Sequence, residues 1–204
     1  PIALNLFSLI CGTLTVVLLA RSVALLPHDR THDQRIRERS EFSLLSIPFA
    51  WAPVVLACGA LALQLTFWEN ATSLTGEMLD LLCFAYVIRC LLEFRISHRD
   101  RWLHKMAFVY GLAVTNNWAM IGFFPLFLGA LIWIKGVRFF DPGFLGKTVL
   151  FGLTGLLLYL LLPTVWMMKG ENYTFFEVLR GNWISQKMYL VDQKAYRNRA
   201  FLLG

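Results

Sequence analysis

Residues 106–134 read MAFVYGLAVT, then NN, then WAMIGFFPLFLGALIWI, with Lys105 before them and Lys135 and Arg138 after them. A stretch this apolar belongs in hydrocarbon. There a backbone must satisfy its own N–H and C=O groups, which leaves helix as the form open to one segment. Lys and Arg in short loops mark the side of a membrane that is not crossed. Basic residues at both ends therefore put both ends on one side, and the stretch cannot be a single span. The sequence predicts a hairpin of two short helices, or a re-entrant pair, turning within 114–118. Two adjacent carboxamides at hydrocarbon depth are costly unless protein or water satisfies them, and polar groups placed there mark a functional site by default.

The rest of the chain agrees with a membrane setting. Hydrophobic residues make up 57% and charged residues 16%, with a mean hydropathy of +0.58, against roughly 45–50% and about 25% in soluble domains. Several runs approach the roughly 20 residues that a spanning helix needs. The fold class expected is all-α, a polytopic transmembrane helix bundle. The net charge of +6 does not point to nucleic acid, because the basic residues sit in short loops beside apolar spans. Cys11, Cys58, Cys83 and Cys90 all lie in apolar runs without a His at metal-ligand spacing, and read as small packing residues.

Spans are expected near 2–20, 45–67, 78–94 and 148–168, besides the broken stretch at 106–134. Loops 27–41, 95–105 and 135–147 are rich in Lys and Arg, whereas 68–77 has neither. The basic loops are thus expected on the cytoplasmic side, with 68–77 and the tail after 168 outside. Residues 1–168 form the transmembrane region. The segment 169–204 is expected to be extracytoplasmic, with an amphipathic surface helix near 173–188 broken at Gly181, leading to a further span. The chain begins and ends on apolar sequence and is expected to be an internal piece of a longer protein.

Three places can carry chemistry. Glu69, Glu77 and Asp80 lie in or beside the outer loop. Glu77 and Asp80 share a helix face, where they either answer the helix dipole or present a carboxylate to an outer cavity as general base or metal ligand. A divalent metal ion is the cofactor such acids would suit. Arg89 lies inside the apolar AYVIRCLLEF, and either reaches the interface, pairs with an acid, or meets a phosphate head group. Asn116, Asn117 and Trp118 mark the break, where the amides cap helix ends or line a cavity. From a start at 106, an arm of ten residues reaches only about 15 Å. That would leave the asparagines near mid-membrane, below Glu77 in a cleft open to the outside.

Several phrases together resemble one family. NLFSLICGTLTVVLLARSV, FWENATSLTGEMLDLL, GLAVTNNWAMIGFFPLFL and FFEVLRGNWISQKMYL are similar to segments of large bacterial membrane proteins of the GT-C glycosyltransferase superfamily, in the branch related to multi-spanning protein O-mannosyltransferases. The interval from Trp68 to Glu77 is about two residues longer than in that branch, and Asn117 stands where many of its members have His, so imidazole chemistry is absent at that spot. The resemblance implies a GT-C-like bundle in a bacterial inner membrane that moves a sugar from a polyprenyl-phosphate carrier to an acceptor on the outer face. It also implies that the principal catalytic acid lies in a first outer loop upstream of the matched region. Glu77 would then be a further acid, with Asn116, Asn117, Trp118 and Asp80 at sugar or phosphate oxygens and Arg89 a weaker candidate. Membrane lipids and other membrane subunits are the remaining expected partners. The rival readings are a non-catalytic scaffold or accessory subunit of a larger membrane complex, in which Glu77, Asn116 and Asn117 face no shared cavity, and a transporter, which would call for a second, repeated broken segment that the 204 residues do not show.

Overall fold

A computed structural model describes residues 2–26, 51–73, 76–168, 174–185 and 187. Among these the secondary structure is helical throughout. The helices are α1 (Ile2–Leu25), α2 (Trp51–Ala62), α3 (Leu65–Thr72), α4 (Glu77–Ser97), α5 (Arg101–Asn116), α6 (Phe124–Lys135), α7 (Pro142–Leu156), α8 (Leu161–Met168) and α9 (175–185). Short 3-10 turns at Trp118–Phe123, Gly136–Phe140 and Leu157–Leu160 extend three of them. Three helical stretches are long and apolar enough to cross a membrane: Ile2–Leu25, Trp118–Phe140 and Pro142–Met168. The pair α2 and α3, bent by 65°, makes a fourth if taken as one broken span. This is a helical membrane bundle. Helix α4 carries Glu77, Asp80, Arg89, Glu93 and Arg95, so it is not apolar enough to stand in lipid alone, and it lies inside, between α1 and α5.

The hairpin is present, with a longer first arm than the apolar run suggests. Helix α5 starts at Arg101 and has 16 residues, about 24 Å. Trp102 and Lys105 belong to it, Lys105 lying over the Trp102 ring. A basic residue at the end of a spanning helix holds its charge out at the interface while its stem lies along the helix, so charge does not end the helix. Asn117 (φ −144, ψ 114) is extended and breaks the helix. Its Oδ1 accepts from Ala119 N at 3.0 Å and caps the following 3-10 turn, and Pro125 opens α6. Lys135 then returns to Asp100, the residue before α5. Both ends of the hairpin thus lie together, as the charge pattern requires.

The elements run from this basic end to the opposite end and back. Helices α5 and α7 are parallel: His104 packs on Phe144 and Phe151, Gly111 meets Gly152 and Gly155, and Trp118 meets Tyr159. A Cβ on Gly155 would lie 2.3 Å from Phe108 O, and one on Gly111 2.3 Å from Gly152 O, so this crossing requires glycine, as close helix pairs in membranes do. Between α4 and the hairpin lies the largest buried cluster, including Val87, Cys90, Leu103, Met106, Phe127 and Phe144. Helix α1 turns a face of small residues, Ser8, Cys11, Gly12 and Thr15, into the bundle, where Gly12 meets Phe67, Ala71 and Met78.

Further boundaries differ from the sequence expectation: α1 runs through Arg21 to Leu25 rather than ending at 20. The second span ends at Ala62, and α3 turns away through Leu63 and Gln64. Helix α7 begins at Pro142 rather than 148, because Asp141 caps it by accepting from Phe144 N at 3.1 Å. Helix α9 runs through Gly181 unbroken, since a single glycine costs a helix only about 1 kcal/mol relative to alanine. The loop 27–41 and most of 169–204 lie outside the described residues.

Candidate functional site

The polar residues of the hairpin turn meet the start of α4. Asn116 Nδ2 donates to Asp80 Oδ1 at 2.7 Å, and Asn117 Nδ2 donates to Asp80 Oδ2 at 2.8 Å. Asn116 Nδ2 also reaches Gly76 O at 3.3 Å. One carboxylate is therefore held by two neighbouring carboxamides. A carboxylate only accepts, so it orients both amides with nitrogen toward it. Local sequence explains the fit. Asp80 lies in the first turn of α4, where the free N–H groups favour negative charge. Consecutive residues reach the same carboxylate because the chain leaves helix between them, so their side chains need not diverge by a helical step.

The valences left over define what the turn can do. Both protons of the Asn116 amide are engaged, so its exposed Oδ1 remains as an acceptor. Asn117 donates one proton to Asp80 and accepts from Ala119 N at its Oδ1, so one N–H remains as a donor. An acceptor and a donor side by side suit a hydroxyl-bearing ligand. Trp118 follows directly, half-buried, with its ring 4.7 Å from that of Trp183 on α9 and 6.1 Å from that of Tyr159. This aromatic group joins the surface helix to the hairpin turn. Trp and Tyr at the end of a bundle are the side chains that membrane interfaces favour.

The expected residues divide as follows. Asp80, Asn116, Asn117 and Trp118 come together. Glu77 lies at the same end, exposed at the start of α4, with no partner among the described residues. The expectation that the asparagines stop at mid-membrane below Glu77 is incorrect: they reach the level of Gly76, because α5 gains five residues at its basic end. They are not sealed in apolar packing, since their partner is a side-chain carboxylate. Arg89 does not join them. It sits nine residues beyond Asp80 on α4, about 13 Å along the axis, and pairs with Glu93 one turn away at 2.5 Å. Glu69, Glu77 and Asp80 do not gather into a ligand set; among the described residues no three His, Cys, Asp or Glu side chains could hold a metal ion. Sequence reasoning missed Tyr159, whose only signal was a hydroxyl inside an otherwise apolar run.

The comparisons with known proteins add the family. The profile described as the protein O-mannosyl-transferase TMEM260 N-terminal domain matches residues 1–138, which is 138 of the 204 residues. The chain belongs to this family. It is an integral membrane protein of a glycosyltransferase family, in agreement with the kinship to protein O-mannosyltransferases read from the sequence. The match to the TMEM260 family takes in α1 to α6, and with them Glu77, Asp80 and the Asn116–Trp118 turn. No curated protein and no solved structure matches the chain.

Proposed function

We propose that the chain forms part of a GT-C-type, multi-pass glycosyltransferase of the bacterial inner membrane, which moves a sugar from a polyprenyl-phosphate donor to an acceptor hydroxyl on the extracytoplasmic face. The observation that carries this reading is the fixed pair of carboxamides on Asp80, beside Trp118 and at the same end as the exposed Glu77. The turn offers one acceptor and one donor to sugar hydroxyls, and the Trp118 ring offers an apolar face to a pyranose. Asp80 is a positioning residue, since both of its oxygens are engaged by the amides. Glu77 is the free carboxylate. In an inverting transfer a carboxylate takes the proton of the acceptor hydroxyl as that oxygen bonds to the anomeric carbon, while the bond from this carbon to the lipid-phosphate oxygen breaks and the phosphate leaves with the electron pair; Glu77 serves that step as a further acid that orients the acceptor hydroxyl. A divalent ion on the phosphate would need Glu77 as its protein ligand here. Arg89 takes no part in this reading, because its guanidinium is paired with Glu93 deeper along α4.

The test is sugar transfer by the full-length protein in membranes. Glu77→Gln and Asn116→Ala are each expected to reduce transfer with unchanged expression, Glu77→Gln mainly in kcat and Asn116→Ala mainly in KM. Unchanged transfer in both would remove them from the site and favour the scaffold reading.

A further inference from the structure

The basic end of the bundle carries a second feature, separate from the sugar site. On one side of the packed pair α5 and α7 lies a groove with a cavity of about 300 Å³ lined by Lys105, Phe108, Leu150, Phe151 and Thr154. Lys147, Leu150, Phe151 and Thr154 recur at intervals of three and four residues, so they share one face of α7. Lys105 and Phe108 share a face of α5 in the same way. The wall between the lysines and the glycine crossing is apolar, because the Thr154 hydroxyl is turned back to Leu150 O at 2.8 Å. Leu150 and Phe151 remain open to the surroundings.

The two lysines lie at one level. His104 packs on Phe144 and Phe151, between which Lys147 lies on α7, and His104 immediately precedes Lys105. Among the described residues neither lysine has a carboxylate partner. Asp100, the acid of this end that follows α4, is held by Lys135. Lys105 lines the groove, its ammonium over the Trp102 ring, and Lys147 stands one turn before Leu150 and Phe151 on the same face of α7, so two cations lie at the basic end of an apolar groove. That is the complement of a molecule with a negative head and an apolar tail lying along the membrane normal. The larger cleft between α5, α6 and α7, about 630 Å³ and lined by residues such as Tyr110, Phe127 and Leu153, has no charge along it to select an occupant.

We propose that the groove between α5 and α7 binds an anionic glycerophospholipid, its phosphate between Lys105 and Lys147 and one acyl chain along Phe108, Leu150 and Phe151. A bound chain fills the groove and so steadies α7 on α5.

The test uses the full-length protein in phosphatidylcholine nanodiscs with increasing fractions of phosphatidylglycerol, read by thermal unfolding. The wild-type Tm is expected to rise with phosphatidylglycerol and to saturate. Each single change, Lys105→Gln or Lys147→Gln, is expected to weaken the apparent lipid affinity roughly fivefold, and the double change to abolish the response. Thr154→Trp, which fills the groove and leaves both lysines, is expected to weaken it as well. Arg138→Gln, at the same end but outside the groove, is expected to change nothing. A full response in the double variant overturns the proposal. So does an equal loss in Arg138→Gln, which would mean diffuse charge attraction. The same rise produced by soluble glycerophosphoglycerol in pure phosphatidylcholine discs also overturns it, since a phosphate would then bind without a chain. Should the double glutamine variant fail to fold, Lys105→Arg with Lys147→Arg decides: it keeps the charge and must keep the response.

Discussion

The bridge from Asp80 to the hairpin turn gives a measurable coupling. Hydrogen bonds to a charged group contribute about 1.5–3 kcal/mol each. The bond from Asn117 at 2.8 Å is part-buried and keeps most of that value, whereas the bond from Asn116 at 2.7 Å is exposed and is largely replaceable by water, leaving about 0.5 kcal/mol. Asp80→Ala is therefore expected to destabilise the protein by about 2–3 kcal/mol, including the amide left without its acceptor. Asp80→Asn is not a benign change, because it sets a third amide against two that already donate. A double-mutant cycle separates the two bonds. Asp80→Ala with Asn117→Ala is expected to show a coupling of about 1.5 kcal/mol, and Asp80→Ala with Asn116→Ala about 0.5 kcal/mol. Reversible unfolding in mixed micelles titrated with dodecyl sulfate, followed by circular dichroism, supplies the free energies. If the Asp80 and Asn117 substitutions add to within about 0.3 kcal/mol, the carboxylate does not hold the turn, and the orientation assigned to the amides fails with it.

Gly155→Ala would place a Cβ 2.3 Å from Phe108 O and is expected to cost about 1–3 kcal/mol by forcing α5 and α7 apart; Gly129→Ala, with open space around it, should be neutral in the same unfolding assay. The carboxyl of Glu177 accepts from Thr174 N at 2.9 Å while its own N–H reaches Thr174 Oγ1, a reciprocal cap that holds Glu177 below its ordinary value of 4.5. A lowered folded value means that the cap contributes fully above the ordinary value and is lost as pH falls through the lowered one; amide exchange at 178–185 should accelerate in that window, and Glu177→Gln should remove the pH dependence. Single cysteines at Ser73 and Ser97 lie at opposite ends of the bundle, so an impermeant thiol reagent added from outside should label Ser73→Cys and spare Ser97→Cys. Labelling of Ser97→Cys alone would invert the sidedness used for the acceptor.

Much of this architecture was legible because the membrane restricts the options. Lys105 and Lys135 on either side of one apolar run required a hairpin, and the Lys135–Asp100 pair closes it. Asn116–Asn117 marked the turn because polar amides and a helix break occur together where backbone must be satisfied by other means. What misled was treating charge as a boundary. Arg101 and Lys105 read as loop, yet both are helical, and five additional residues carry the asparagines from mid-membrane to the level of Gly76. Nothing local could reveal that Asp80, rather than Glu77, would meet the amides. The two acids lie one turn apart on the same helix, and only the height reached by α5 selects between them.

That selection bears on how the family resemblance should be read at this position. The resemblance read from the sequence implies a His in many relatives where this chain has Asn117, so that Asn117 reads there as the loss of an imidazole. The geometry argues otherwise. Asn117 fills three roles at once: its backbone breaks the helix, its Oδ1 caps the next turn through Ala119 N, and its amide binds Asp80. A neutral imidazole could cap through one ring nitrogen or donate to the carboxylate through the other, but its ring cannot present acceptor and donor with the same short reach. The expected cost of Asn117→His is therefore structural before it is chemical. If the variant keeps its stability, an imidazole fits beside Asp80 and the two side chains are interchangeable at the turn. If stability falls together with the Asp80 coupling, the carboxamide is required for the way this chain closes its hairpin.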